Sequence, residues 1–434
     1  MKILVISSYE LGHQPFHAAT ATAALRAAGH EVRPIDLSLA SLTRTDIGWT
    51  DRVAFAVPMH TAMRIALDEA KSIGVIRPGL PICFFGLYAT AGDLPLGAAA
   101  IAGEYESELV RWAADPGTGV RVDLGRSALQ FAPDRNDLPP LSAYVSLELA
   151  GEKFIAGSTS ATRGCRYLCK HCPVPTVYDG TFRVVDRDLV VADIDAQVAA
   201  GARHITFSDP DFLNGPAHSM RILEEAKQRH PDLTFDATIK VEHVLRYRHL
   251  LPRMAELGVV FVVSAFETTN DEILQLLDKG HTAEDMAEAV HLLRANAIEV
   301  RPTWLPFTPW TVMGDLVDML RFLERHDLDV DPIQLTIRLL IPRGSLLLDL
   351  PGSVLRPGRF DSDKLSYTWQ SADPAVDELQ VRLARLVEEM AAGPPDAVLG
   401  VLVAEILASA GIDEGAIRLT SGEGRPRLTE PWFC

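Results

Sequence analysis

Short, wholly apolar segments recur along the chain with helical stretches between them, and this alternation limits the fold more than any other feature. Residues Lys2 to Ile6 read as a buried strand, Thr20 to Ala28 as an Ala-rich helix ending at Gly29, and Glu31 to Ile35 as a second strand. Val53 to Val57 and Ile82 to Phe85 supply two more strands, with helical spacing over Thr61 to Ile73 between them. Strands apolar on both faces and joined by helices form parallel sheets covered on both sides. Residues 1–130 are therefore expected to form a doubly wound, Rossmann-like α/β domain. Its ligand crevice would lie at the carboxyl ends of the strands, at Ser7, Ser8, His13, Pro58, Met59, His60 and Gly86.

A Pro- and Asp-rich stretch, Ala132 to Leu141, marks a linker over 131–150. A second alternating series follows. Strands are expected at Ile155 to Thr162, His204 to Ser208, Thr234 to Ile239, Val259 to Ala265, Glu299 to Leu305 and Ile333 to Leu340. Helices are expected around 188–200, 216–229, 243–257, 270–277, 283–296 and 314–326. Six such units over 151–350 make a partial (β/α)6 barrel, since closure needs eight. Residues 351–434 read as a small helical region with helices near 374–392 and 395–410.

Composition narrows the function. The formal charge of −17 argues against a partner held through phosphates, so a small-molecule substrate is expected and nucleic acid is not. No apolar run reaches the roughly 18 residues of a membrane span. The apolar start of the chain is too short for the core of a signal peptide. Only five cysteines, three of them within eight residues, are poor material for a disulfide framework and better material for a metal site in a reducing, cytoplasmic compartment.

Those three stand in Cys165-Arg166-Tyr167-Leu168-Cys169-Lys170-His171-Cys172, just after the first barrel strand and so at the catalytic rim. Thiolates suit iron-sulfur clusters and zinc. Three cysteines leave one iron of a 4Fe-4S cluster open to a substrate, whereas zinc would take His171 as a fourth ligand and close the site. The spacing C-x3-C-x2-C after a barrel strand resembles the radical S-adenosylmethionine (SAM) superfamily over roughly Phe154 to Leu347. The resemblance implies a 4Fe-4S cluster on Cys165, Cys169 and Cys172 whose open iron chelates the amino and carboxylate groups of SAM. It also implies reductive cleavage of SAM and an electron donor such as flavodoxin or ferredoxin. The aromatic residue usual before the third cysteine is His171 here.

The same resemblance assigns cofactor-binding positions. Asp209 and Asp211, at the end of the second strand, are candidates for the SAM amino group, with a helix-capping turn as the alternative. Thr238, Lys240 and Glu242 alternate along the third strand, which places Lys240 for the SAM carboxylate with Glu242 as its partner, or else makes a rim ion pair. Ser264 and Glu267 would address the ribose and amino acid portions of SAM, ahead of Lys279-Gly280-His281-Thr282. Arg338, with Trp304 and Trp310, would line a substrate wall.

A doubly wound domain before such a barrel is similar to the cobalamin-binding subclass. The cobalt-ligating motif Asp-x-His-x-x-Gly is absent, and both readings stay open: bound cobalamin, or a domain that has kept the fold without the cofactor. The ending Pro431-Trp432-Phe433-Cys434 is similar to the approach to the C-terminal tail of the CUAEP/CCAEP-tail radical SAM proteins, which leads to the expectation of a selenocysteine or cysteine after Cys434. Three functions follow: SAM cleavage with cobalamin-dependent methyl transfer to a small molecule; transfer of 3-amino-3-carboxypropyl to a soft atom such as arsenic; or a non-catalytic iron-sulfur or zinc sensor.

Overall fold

A computed structural model describes residues 1–125, 129–412, 417–422 and 424–430. Residues 1–125 fold as expected, around a six-stranded parallel sheet. Its strands are β1 (Lys2–Ser7), β2 (Glu31–Asp36), β3 (Arg52–Ala56), β4 (Ile82–Phe85), β5 (Ala99–Gly103) and β6 (Gly119–Asp123), in the order β2-β1-β3-β4-β5-β6. Ile3, Leu4, Val5 and Ile6 are all fully buried, because helices cover both faces of the sheet. β5 was not legible in the sequence: Ala-Ala-Ile-Ala-Gly has little β-branched character and becomes a strand only through its place beside β4. The order reverses at β1 and β3, so the topological switch point opens at Ser7, Ser8 and Val57 to Met59.

The stretch expected as a linker is tightly held. Arg135 reaches Asp193, Ser158 and Gln14, and Arg26 binds Asp134. The same stretch ends in β7 (Ser146–Leu149), which pairs antiparallel with β8 (Glu152–Thr159). After β8 the chain turns out of the sheet as β9 (Thr162–Gly164). This segment forms an antiparallel ribbon with β10 (Phe182–Val184) and closes the loop that carries the cysteines. The barrel continues with β11 (His204–Phe207), β12 (Thr234–Thr238), β13 (Val259–Glu267) and β14 (Glu299–Trp304), parallel neighbours from β8 onward.

The expected sixth strand, Ile333 to Leu340, is not a strand. Residues Pro332–Thr336 wind as a 3-10 turn that starts on proline, and the Gln334 side chain accepts the Trp304 N–H. Only a bridge between Phe307 and Arg338 remains of the pairing. Helices Pro374–Glu389 and Pro395–Ser409 pack against this edge, as the apolar spacing of the last region predicts.

Two short strands, β15 (Phe360–Asp361) and β16 (Ser366–Tyr367), make a hairpin that straps the far end of the chain to the first domain. Leu365 at its turn is buried against the β3–β4 helix; a side chain on Gly92 would meet it at 2.9 Å. The last strand, β17 (Arg427–Leu428), pairs with β7 and brings Glu430 onto Tyr9. The expected tail at Pro431 to Cys434 lies outside the described residues. No helix among the described residues is long and apolar enough to cross a membrane. Leu365→Ala should lower unfolding stability by roughly 2–5 kcal/mol, and Leu365→Met by much less, in denaturant titrations followed by circular dichroism.

Candidate functional site

The cysteine loop leaves the barrel where β8 ends. Gly164 has φ +76°, and a Cβ there would stand 2.5 Å from the Thr181 carbonyl and from the Tyr178 ring. Only glycine allows so close an approach, and Tyr178 in turn seals the base of the loop. Cys165 and Cys169 are buried, Cys172 is partly exposed, and none of the three is in a disulfide. The Asn214 amide oxygen accepts the Arg166 N–H at 3.3 Å and lies 3.8 Å from the Cys165 sulfur.

Two lysines face the thiols. Lys240 Nζ is 3.5 Å from Cys169 Sγ, lies over the Tyr167 ring at 3.5 Å, and sits 3.8 Å from Glu242. Tyr167 donates to Glu242 at 3.0 Å and stands 2.9 Å from His243 Nε2. On the other side, Glu267 Oε1 accepts from Lys279 at 3.0 Å and meets His171 Nε2 at 3.0 Å. Burial works against the charge on Glu267. Lys279 and His171 outweigh it and hold the carboxyl far below its usual range, and Glu267 keeps the buried Lys279 protonated. Glu267 adopts φ +69° at the end of β13, which turns its side chain toward the loop. His281 is buried near this group with no hydrogen-bond partner on either ring nitrogen, and burial drives its pKa down to about 3.

Burial raises the Cys165 thiol pKa, against the nearby Lys240, and three thiols on one loop are the donor set that iron-sulfur clusters use. The loop therefore fits an iron-sulfur cluster. His171 spends its Nε2 on Glu267 rather than turning it to the cysteines. Among the described residues no three His, Cys, Asp or Glu side chains converge tightly enough for a single metal ion.

Of the predicted positions, Lys240, Glu242 and Glu267 gather at the cysteines, and Asp211 stands behind Lys240, whose N–H it accepts at 3.3 Å. Asp209 is buried and used up locally: its oxygens accept the Ala161 and Thr162 N–H groups and the Thr162 hydroxyl. Asp211 caps the next turn through Leu213 N and pairs with His243 at 2.9 Å. Ser264 donates to the Ile239 carbonyl at 2.7 Å. Arg338 stacks on Trp369 at 3.5 Å and binds Asp377, tying the barrel edge to the C-terminal helices. Trp304 packs among Phe266 and Phe322, and Trp310 donates to the Val354 carbonyl. Lys279, His281 and Tyr167 were not singled out from the sequence. The Lys-Gly-His-Thr run was visible, but its contact with Glu267 was not.

The crevice of the first domain opens toward the barrel. His13 is buried with neither ring nitrogen partnered, and the Ser7 hydroxyl is likewise unpartnered. Burial lowers the His13 pKa to about 4 even though Asp236, in the barrel, pulls the other way. His60 is taken by the Lys364 carbonyl of the C-terminal hairpin. Unsatisfied buried polar groups at a switch point fit a polar ligand between the two domains.

A doubly wound domain docked on an open barrel with three cysteines at its rim defines a class, and residues 159–323 match the family model of the Radical SAM superfamily. That match takes in most of the barrel, including the cysteine loop. A hopanoid C-2 methylase of Rhodopseudomonas palustris (strain TIE-1) is 22% identical over 283 residues, 62% of this chain and 52% of that protein. A bacteriochlorophyllide d C-12(1)-methyltransferase of Chlorobaculum tepidum is 31% identical over 137 residues, 30% of this chain and 28% of that protein. The chain thus spans about half the length of the first relative and less of the second. Among solved structures, the cobalamin-dependent S-adenosylmethionine radical enzyme OxsB superposes with a TM-score of 0.65 at 15% identity, over 90% of this chain and 66% of OxsB. The radical S-adenosylmethionine methyltransferase TsrM from Kitasatospora setae gives 0.59 at 16% identity, over 80% and 74%. The two-domain fold is shared with both.

Burial pushes Asp209 up to about 7, against the hydrogen bonds donated to it. A carboxyl raised in the folded state holds its proton more tightly there than in the unfolded chain. Its contribution to stability is therefore present below about pH 4 and lost as pH rises toward 7, at about 1.4 kcal/mol per pKa unit. Asp209→Asn should flatten that part of the stability–pH curve in denaturant titrations between pH 4 and 8.

Proposed function

We propose that this chain is a radical SAM enzyme that methylates a small molecule with the help of cobalamin. The observation that carries the reading is the set of three cysteines at the barrel rim, two of them buried, with Lys240 and the Lys279–Glu267–His171 group packed around them. Cys165, Cys169 and Cys172 would hold a 4Fe-4S cluster and leave one iron open. Lys240 is the cation for the SAM carboxylate, and Glu242 and Tyr167 hold it in place. Lys279 and His171 fix Glu267, so this buried carboxylate stays ionised and cannot act as a stray proton donor.

When bound, the cluster supplies the electron that splits a carbon–sulfur bond of SAM, and a corrin supplies the metal that carries the methyl group. The crevice at Ser7 and His13 would take the corrin between the domains. The printed activities of the methylase and methyltransferase relatives, and the cobalamin dependence of OxsB, support this part of the reading. A small electron carrier such as a flavodoxin or ferredoxin would reduce the cluster. The substrate would enter from the open side of the barrel.

Anaerobic reconstitution with iron, sulfide and hydroxocobalamin, followed by reduction in the presence of SAM, tests the proposal. The expected outcome is bound iron and corrin, with 5′-deoxyadenosine and S-adenosylhomocysteine among the products. Cys165→Ala, Cys169→Ala and Cys172→Ala should each abolish SAM cleavage. Absence of a cluster, or a cluster indifferent to SAM, would overturn the reading. Methylthioadenosine as the product would replace methyl transfer with aminocarboxypropyl transfer.

A further inference from the structure

The cysteine loop is held by the first domain as well as by the barrel. Arg163 stands two residues before Cys165 and is buried, and so are the two carboxylates that meet it from the β5 end of the first domain, Glu104 and Glu106. Its guanidinium makes a two-point contact with Glu106, at 2.8 and 2.6 Å, and reaches Glu104 at 3.4 Å. It also lies over the Tyr105 ring at 4.8 Å. Glu104 accepts in addition from Tyr178 at 3.1 Å, the residue whose ring packs on Gly164. Apolar contacts run alongside: Ala102, Leu87 and Leu124 of the first domain pack with Cys165, Cys172, Val174 and Tyr178.

Charges this deep are costly to desolvate, and only close, directional pairing offsets the cost. Burial works to raise the Glu106 pKa, but Arg163 outweighs it and holds the carboxyl below its usual range. The group therefore tolerates little movement. Both carboxylates also sit at the carboxyl end of β5, on the edge of the crevice.

We propose that Glu106 and Glu104, through Arg163, are positioning residues for the cluster: the first domain sets where Cys165 stands and the charge around the bound iron. The inference rests on the proposed 4Fe-4S cluster. None of these residues touches the reacting atoms. They act on the cluster from outside its ligands, where outer partners of metal ligands tune affinity and potential.

The test uses full-length protein, reconstituted anaerobically as wild type, Glu106→Gln, Arg163→Lys and Tyr178→Phe. Folding is checked by circular dichroism, and iron content, release of iron to a chelator, the electron paramagnetic resonance spectrum of the reduced cluster and its midpoint potential are measured. Glu106→Gln removes a buried negative charge near the cluster and should move the potential upward. Arg163→Lys gives up the two-point contact and should release iron roughly 10- to 100-fold faster. Tyr178→Phe loses a single hydroxyl, keeps the ring on Gly164, and should move the spectrum of the reduced cluster away from wild type even if the charge variants fail to fold. Folded variants with wild-type spectrum, potential and iron release would overturn the inference. A wild-type protein that takes up no cluster would instead overturn the proposed function, and that is seen before any substitution is compared.

Discussion

The buried ion group of Arg163, Glu104 and Glu106 is the constraint on which the rest of the site depends. A guanidinium and two carboxylates removed from water are tolerated only at hydrogen-bond distance, so the first domain and the barrel must meet in one register. Cys165 follows two residues later. The packing of an N-terminal sheet thus reaches the thiols through a single strand, and the two domains form one site. The linker reinforces the register, since Arg135 contacts residues of both domains. The C-terminal hairpin does the same from the other side with Leu365, and by covering His60.

The barrel is left open for a physical reason. Five parallel strands from β8 to β14 cannot close, and the sixth is reduced to one bridge because Pro332 starts a tight turn where a ladder would have to continue. The edges are covered instead of joined. β7 and β17 extend one side, and the C-terminal helices, fastened by Arg338 to Asp377 and Trp369, close the other. What remains is a rim where a first domain can dock and a ligand can lie between the two. His13 and Ser7 reach that space with unspent polar atoms, while Asp209, Asp211 and Ser264, equally polar, have been consumed by the backbone around them.

Much of this was readable beforehand, and the failures follow a pattern. Apolar runs buried on both faces revealed β1, β3 and β4, because burial on two sides leaves an unmistakable composition, while β2 and the barrel strands were read from their place in the alternating series. The spacing of Cys165, Cys169 and Cys172 drew attention to the loop that the structure places at the barrel rim, because so few chemistries use three thiols at one turn. The predicted residues whose polar atoms are engaged away from the cysteines include Asp209, Asp211 and Ser264, polar groups near strand ends. A carboxylate at such a position can cap a turn or face a ligand, and the choice is made by where the next N–H groups point. Asp209 went to Ala161 and Thr162; Glu267, turned by its positive φ, went to the loop.

The amino-acid sequence by itself determined two α/β units in series and a thiol-rich loop at the head of the second. These are local properties: burial pattern, crossover length and ligand spacing are written within a few tens of residues. The tertiary structure decided which charges surround the thiols. Lys240 lies 71 positions from Cys169, and Glu106 lies 57 from Arg163. Contacts at that separation depend on how whole elements pack, because a side chain's partner is set by the geometry of the sheet and not by its neighbours along the chain.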